Sequence, residues 1–156
     1  SSFSTYLRNN INNLGQSELI FFEKELSFVN AYLDIEKVRF DDELLISFDI
    51  GVADFKLPVL TVQPIVENAI KHGLMKLPKG GTICVVSYET DTHYCVSVKD
   101  DGAGFDTSEL LNDRKHVGIR NIRGRLKAMV NGTLEIESTE GVGTKVLITI
   151  PKEVEQ

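Results

Sequence analysis

Cysteine is scarce in this sequence. Cys84 and Cys95 are the only two in 156 residues. They form no CxxC and no Cys/His ligand spacing, and both sit in strand-like runs. Buried reduced thiols therefore fit better than a disulfide or a zinc site. Cations are outnumbered, 17 Lys and Arg against 23 Asp and Glu, for a net charge of −6. That balance speaks against a nucleic-acid surface, which needs a basic stripe, while leaving room for a local cationic pocket. No apolar run approaches the length of a membrane span, and no signal peptide is visible. Histidine occurs three times and never before His72. The phosphate loop GxxxxGK[ST] is missing, as are the HRD and DFG elements of protein kinases. The third glycine of a dinucleotide fingerprint starting at Gly102 would fall at Thr107, so that motif is absent too. Repeats and low-complexity segments are lacking. The first residue is not Met, and the chain opens straight into a helical pattern, so we expect a fragment of a longer protein.

What is present reads as one domain with a small extension. Hydrophobic content of 42% and charged content of 26% are ordinary for a globular protein. Phe3, Leu7, Ile11 and Leu14 are spaced for a helix closed by Gly15. A second helix is expected from Phe22 to Phe40, with Leu26, Val29, Leu33 and Phe40 as its stripe and Tyr32 and Ile35 flanking. Its charged residues Glu23, Lys24, Glu25, Asp34, Glu36, Lys37 and Arg39 are expected mostly in solvent. Leu44 to Ile50 alternates as a strand, Gly51 to Lys56 turns, and Pro58 suits a first helical turn. Pro78 to Gly81 is a turn. Thr82 to Glu89 and His93 to Lys99 then pair as an antiparallel hairpin. Thr107 to Asn112 is at most a short helix, and Asp113 to Val117 reads as loop. Gly118 to Val130 is a helix with Ile119, Ile122, Leu126, Met129 and Val130 inside. Thr133 to Glu137 and Thr144 to Ile150 are the last strands.

The chain is organised around Pro64-Ile65-Val66-Glu67-Asn68-Ala69-Ile70-Lys71-His72-Gly73. At about 100° per residue, Gln63, Pro64, Glu67, Asn68, Lys71 and His72 share one arc of a helix. Val59, Val62, Ile65, Val66, Ala69 and Ile70 share the other. The free face would thus carry a carboxylate, an amide, an ammonium and an imidazole within two turns. An amide oxygen can ligate a hard cation, a Lys can neutralise phosphate, and a carboxylate can take a proton. A magnesium-bound polyphosphate suits that set; so does the plainer reading of a solvated face with one ion pair. Pro64 inside the helix requires a late start or a kink, and Gly73 is a natural cap. Seven of the twelve glycines fall between Gly102 and Gly143, at strand ends and helix starts, where backbone N–H groups can meet anions.

In order, Glu67-Asn68-x-x-Lys71-His72-Gly73, Asp100-x-Gly102-x-Gly104, Gly118 opening a helix, and Gly141-x-Gly143-Thr144 resemble the nucleotide-binding boxes of the GHKL superfamily. Glu23-Lys24-Glu25-Leu26, Tyr32 through Phe40, and Leu60 through Asn68 are similar to the LytS-like sensor histidine kinases. The resemblance runs from about Leu7 to Pro151. It implies an α+β Bergerat sandwich, with a mixed, mainly antiparallel sheet and helices on one face. Residues 1–41 would be the helical tail of a dimerisation and phosphoacceptor domain, and residues 42–156 the ATP-binding catalytic domain.

It also implies the site. ATP would lie between the organising helix and the Gly118 helix, with Asn68 holding Mg2+ on the phosphates. Asp100 would accept from the adenine amino group with support from Thr144. Gly102 and Gly104 would let the chain pass close under the base. Lys71, His72, Arg120 and Asn121 would meet the nucleotide, and Glu67 is the candidate general base. Residues 106–117 would form a mobile lid. His116 stands where the family often has Gly. The acceptor histidine would lie upstream of Ser1, on the same or a partner protomer of a homodimer, and a cognate response regulator would take the phosphoryl group. The expected setting is the cytoplasmic part of a membrane-anchored bacterial sensor, without nucleic acid or a metal cluster. The rival reading is a nucleotide-sensing module that binds ATP or ADP without phosphotransfer.

Overall fold

The structure is a computed structural model that describes residues 18–39, 44–74, 81–109 and 117–153. The side chains at 39, 72, 73, 109 and 117 are outside that description. The first expected helix, Phe40, the turn before Gly81 and residues 110–116 of the expected lid also lie outside it.

The element order begins with β1 (Leu19–Phe21), α1 (Phe22–Arg39), β2 (Leu44–Ile50), β3 (Lys56–Pro58) and α2 (Val62–Asn68). A π-helical turn (Ala69–Gly73), β4 (Gly81–Glu89), β5 (His93–Asp100) and a 3-10 turn (Thr107–Glu109) follow. The chain closes with α3 (Val117–Val130), β6 (Thr133–Thr139) and β7 (Gly143–Pro151). Five strands form one sheet in the order β2-β4-β5-β7-β6; β2 and β4 are parallel, and the other pairs antiparallel. The expected mixed, mainly antiparallel α+β fold is borne out.

Strand alternation explains where the core sits. Ile83, Val85, Val96, Val98, Leu134, Val146, Ile148 and Ile150 face one side and are buried. Val29 and Leu33 of α1, Ile65 and Val66 of α2, and Ile119, Ile122 and Leu126 of α3 pack into the same cluster. Each such side chain, fully withdrawn from water, contributes roughly 1.5–3 kcal/mol. Cys84 and Cys95 belong to the opposite face and are both free; Cys95 is buried as expected, whereas Cys84 is only partly so. Cys84 pairs in register with Lys99 and Cys95 with Tyr88, so the ladder keeps the two thiols apart.

Three sequence expectations are corrected. β1 and β3 were not expected at all. They pair as Leu19↔Pro58, Ile20↔Leu57 and Phe21↔Lys56, and three residues are too few to show an alternation. Pro58 therefore ends a strand rather than starting a helix. α1 buries Phe22, Glu25, Val29, Tyr32, Leu33 and Glu36, so its inner stripe includes two carboxylates expected in solvent. α2 starts late, at Val62, one of the two outcomes expected for Pro64, whereas the expected cap is not found. Pro64 is its third residue, where a missing N–H costs no intrahelical bond. The helix then widens into the π turn, and Leu74, in right-handed conformation, caps it in place of Gly73. Such π turns occur often at functional sites.

Candidate functional site

Asp100 is the last residue of β5, opposite Thr144 at the start of β7. It is 6% exposed, and its Oδ1 accepts the Gly102 N–H at 2.8 Å. Burial pushes its carboxyl above the ordinary range, and the Asp101 charge adds to that. The N–H groups of Gly102 and Thr144 pull the other way. A buried carboxylate held by backbone donors retains lone pairs for a neutral N–H donor.

The glycines near it are required by backbone contact. Gly143 has φ +141, and a Cβ there would run into the Asp100 carbonyl oxygen. Gly104 has φ +66, and a Cβ there would strike the Thr139 carbonyl oxygen. These two positions thus press the Asp100–Phe105 segment against the β6–β7 turn, which Gly141 N–H reinforces by donating to the Ala103 carbonyl at 2.7 Å. Gly102 is buried beside Asp100. Ser138 is the node the sequence reading missed. Its hydroxyl lies 2.7 Å from the Thr144 hydroxyl and accepts the Phe105 N–H at 2.9 Å. The pairing Ser138↔Thr144 across the Glu140-Gly141-Val142 turn carries that signal, since paired residues share a face.

α2 and its π turn lie beside this end of the sheet: the π turn packs on β7 and α2 on α3. The expected free face is only partly free. Pro64 and Asn68 are half-buried and Lys71 is exposed. Glu67 is 3% exposed and Gln63 fully buried, so the carboxylate belongs to the interior side of the helix. The wheel applies to Gln63 through Asn68 within α2 but not to Lys71 and His72, which lie in the π turn, and it misjudged how far around α2 its neighbours reach. The side chain of His72 is outside the described residues.

The start of α2 is held by residues on other elements. Glu25 of α1, 1% exposed, accepts the Thr61 N–H at 2.6 Å. Burial pushes its carboxyl up to about 7, against the pull of the nearby Val62, Thr61 and Gln63 N–H groups and the charge of Arg125. Arg125 of α3 donates to the carbonyls of Val59 and Leu60, the latter at 2.6 Å. Neither residue is singled out by spacing or charge: Glu25, though within a stretch that carries the family resemblance, sits among other acidic residues, and Arg125 among surface-like cations.

α3 begins differently. No acidic residue occupies its first turn, and a Cβ built at Gly118 would meet none of the described residues within 4 Å. Asn121 is exposed and Arg120 half-buried.

This arrangement, a buried carboxylate at a strand end beside the glycine-held β6–β7 turn, can be set against known proteins. The family of histidine kinase-, DNA gyrase B-, and HSP90-like ATPases matches residues 53–154. The chain belongs to that family. A histidine kinase family matches residues 1–44. Relatives of this ATPase domain include the sensor protein LytS of Streptococcus agalactiae, 31% identical over 98% of this chain and 28% of its own length. The sensor histidine kinase YpdA of Escherichia coli is 32% identical over 97% of this chain and 28% of its own. The chain thus spans little more than a quarter of these two relatives. The catalytic domain of histidine kinase ThkA superposes with a TM-score of 0.67 at 16% identity, covering 86% of this chain and 96% of that one. At such identity the likeness speaks for the fold. The domain is of the ATP-binding catalytic type found in sensor histidine kinases, and no helix among its described residues is long and apolar enough to cross a membrane.

Proposed function

We propose that this chain binds Mg2+ and ATP between α2 and α3 and passes the γ-phosphoryl group to a histidine outside it, upstream of residue 1. The observation that carries the reading is Asp100: a carboxylate nearly closed to solvent, held by backbone N–H groups, at the end of a strand where the chain presses close through Gly104 and Gly143. Such a group is matched to the exocyclic amine of adenine. Thr144, tied to Ser138, supports it, and Gly102 keeps the turn under the base narrow.

Asn68, half-buried at the end of α2, offers the amide oxygen for the metal. When bound, the metal neutralises charge on the phosphates. Lys71, His72, Arg120 and Asn121 are the proposed phosphate contacts, with the open start of α3 at Gly118 supplying N–H groups. The transfer forms an N–P bond to the acceptor imidazole and breaks the bond to the bridging oxygen, which leaves with its electron pair on ADP. Glu67 is the carboxylate proposed to take the imidazole proton. Little else is asked of the protein beyond position and charge. Residues 106–117 are proposed as the lid.

We assign residues 1–41 to the tail of the dimerisation and phosphoacceptor domain and 42–156 to catalysis. The division is one of role, since α1 shares the core with α2 and the sheet. The whole protein is proposed to be a homodimeric, membrane-anchored bacterial sensor with this part in the cytoplasm. ThkA has been seen in complex with the response regulator TrrA, which supports a response regulator as the partner here. The test is trans-phosphorylation: the chain, labelled ATP, magnesium and a separate acceptor-bearing dimerisation fragment. Label should reach the fragment's histidine. Tight ATP binding with no transfer would leave only nucleotide sensing.

A further inference from the structure

Three elements meet on the turn that leads into α2. Glu25 reaches it from α1 and takes the Thr61 N–H, with the N–H groups of Val62 and Gln63 beside its carboxyl. Arg125 reaches it from α3 and holds the carbonyls of Val59 and Leu60. The Thr61 hydroxyl donates to the Pro58 carbonyl, tying the same turn to the end of β3. Leu60 has φ +59, a left-handed conformation that a branched aliphatic residue adopts only when its surroundings impose it. Donors and acceptors of the turn are thus matched by opposite charges on two helices, each attracting the other across it. α2 leaves this turn and reaches Asn68 seven residues later.

We propose that Glu25 and Arg125 are positioning residues for the metal–triphosphate end of the site: by clamping the 59–63 turn between α1 and α3, they set where α2 presents Asn68. The inference rests on the reading above, in which Asn68 holds the metal. Glu25 acts through the backbone and touches no substrate. Asp100, on β5, is not reached by the clamp, so recognition of the base is independent of it. The clamp also ties the seat of α1 to the metal site. A movement of α1 that withdraws the carboxylate frees the first turn of α2.

The test uses the 156-residue chain, with calorimetry of ATP in magnesium, ATP in chelator, and adenosine. Glu25→Ala should weaken magnesium-ATP by roughly tenfold, the scale of losing a residue that orients a metal ligand. Adenosine should bind as in wild type. Glu25→Gln, which keeps one acceptor oxygen, should recover part of the loss. Arg125→Lys cannot fork to two carbonyls and should fall between them; it carries the test with Glu25→Gln if Glu25→Ala does not fold. In an Asn68→Ala background, the clamp variants should cause no further loss. Equal weakening of adenosine and magnesium-ATP, a loss that persists undiminished without Asn68, or unchanged magnesium dependence in both conservative variants would overturn the clamp alone. A wild type with no magnesium dependence would overturn the site reading, and the clamp with it.

Discussion

The two helices that flank the proposed nucleotide begin in opposite ways. α2 begins closed: a buried carboxylate from α1 takes the N–H of its cap residue Thr61, and Arg125 braces the preceding carbonyls. α3 begins without such a partner among the described residues: its first turn has no acid, and no described residue lies within 4 Å of a Cβ at Gly118. A helix start whose donors are already satisfied by the protein's own charge has little left for an external anion, whereas an unsatisfied one favours it. The contrast teaches a division of labour. In the proposed site α2 would contribute a side chain, Asn68, from a fixed axis, and α3 would contribute a terminus. That is why a seven-residue helix needs partners on two other elements to hold it, for at this length it has little stability of its own.

The hardest way to break the contrast is to open the closed end. Glu25→Ala strands the buried Thr61 N–H and removes the charge that faces the Arg125 guanidinium. It should cost roughly 2–4 kcal/mol in a urea melt at pH 7. A loss below half a kilocalorie would mean that water satisfies this turn unaided.

The second way is titration. Folding raises the Glu25 carboxyl from 4.5 to about 7, so between those values the folded chain binds more protons than the unfolded one. The sign follows: this group's contribution is full below the unfolded value and is lost as pH rises toward 7. At roughly 1.4 kcal/mol per decade, the loss is on the order of 3 kcal/mol. Glu25→Gln cannot titrate. The stability difference between wild type and Glu25→Gln should therefore move against wild type from pH 4.5 to 7.5. A pH-independent difference would place a charged Glu25 in an environment as favourable as water.

The third sharpens the contrast by leaving both helix starts alone. Asp100→Asn presents a donor to the adenine amine and removes a charge-assisted acceptor, costing about 1.5–3 kcal/mol in ATP affinity. Its effect should add to that of Glu25→Gln, because strand and clamp share no contact. ATP and GTP weakening by the same factor would remove Asp100 as the reader of the base.

How much of this was legible in the sequence depends on the range of the interaction. Alternation over seven to nine residues made β2, β4, β5 and β7 visible, and the spacing of Ile119, Ile122 and Leu126 made α3 visible. β1 and β3 were too short for any period to register. The glycines at 104 and 143 were marked as significant, but the reason expected for Gly104 was a ligand, whereas contact with the Thr139 and Asp100 carbonyls already requires both. Asp100 was legible because its neighbours in sequence are its neighbours in space. Glu25 was not: its partners lie at Thr61, thirty-six residues on, and at Arg125, a hundred on. A polar residue satisfied by a distant backbone leaves no trace in a local pattern. The buried placement of Glu67 and Gln63 escaped for the same reason, since a wheel describes one helix and not what surrounds it.

The smallest expected effect closes the open end instead. Gly118→Asp puts a carboxylate into the first turn of α3, where the helix dipole favours it. It also replaces the residue least suited to a helix interior apart from proline. Among the described residues no atom lies within 4 Å of the new Cβ. The free chain should therefore gain about 0.5–1 kcal/mol in stability. Gly118→Ala separates the propensity gain from the charge, because it makes the same backbone change without the carboxylate. If triphosphate meets this terminus, Gly118→Asp should bind magnesium-ATP several-fold more weakly than Gly118→Ala at low salt. The gap should shrink as salt screens the repulsion, within a Debye length of about 10 Å at 0.1 M. Adenosine, which carries no phosphate, should not distinguish the two variants. Equal magnesium-ATP affinities for Asp and Ala at low salt would show that the open start of α3 faces solvent and not phosphate, and the division of labour between the two helices would fail on that side.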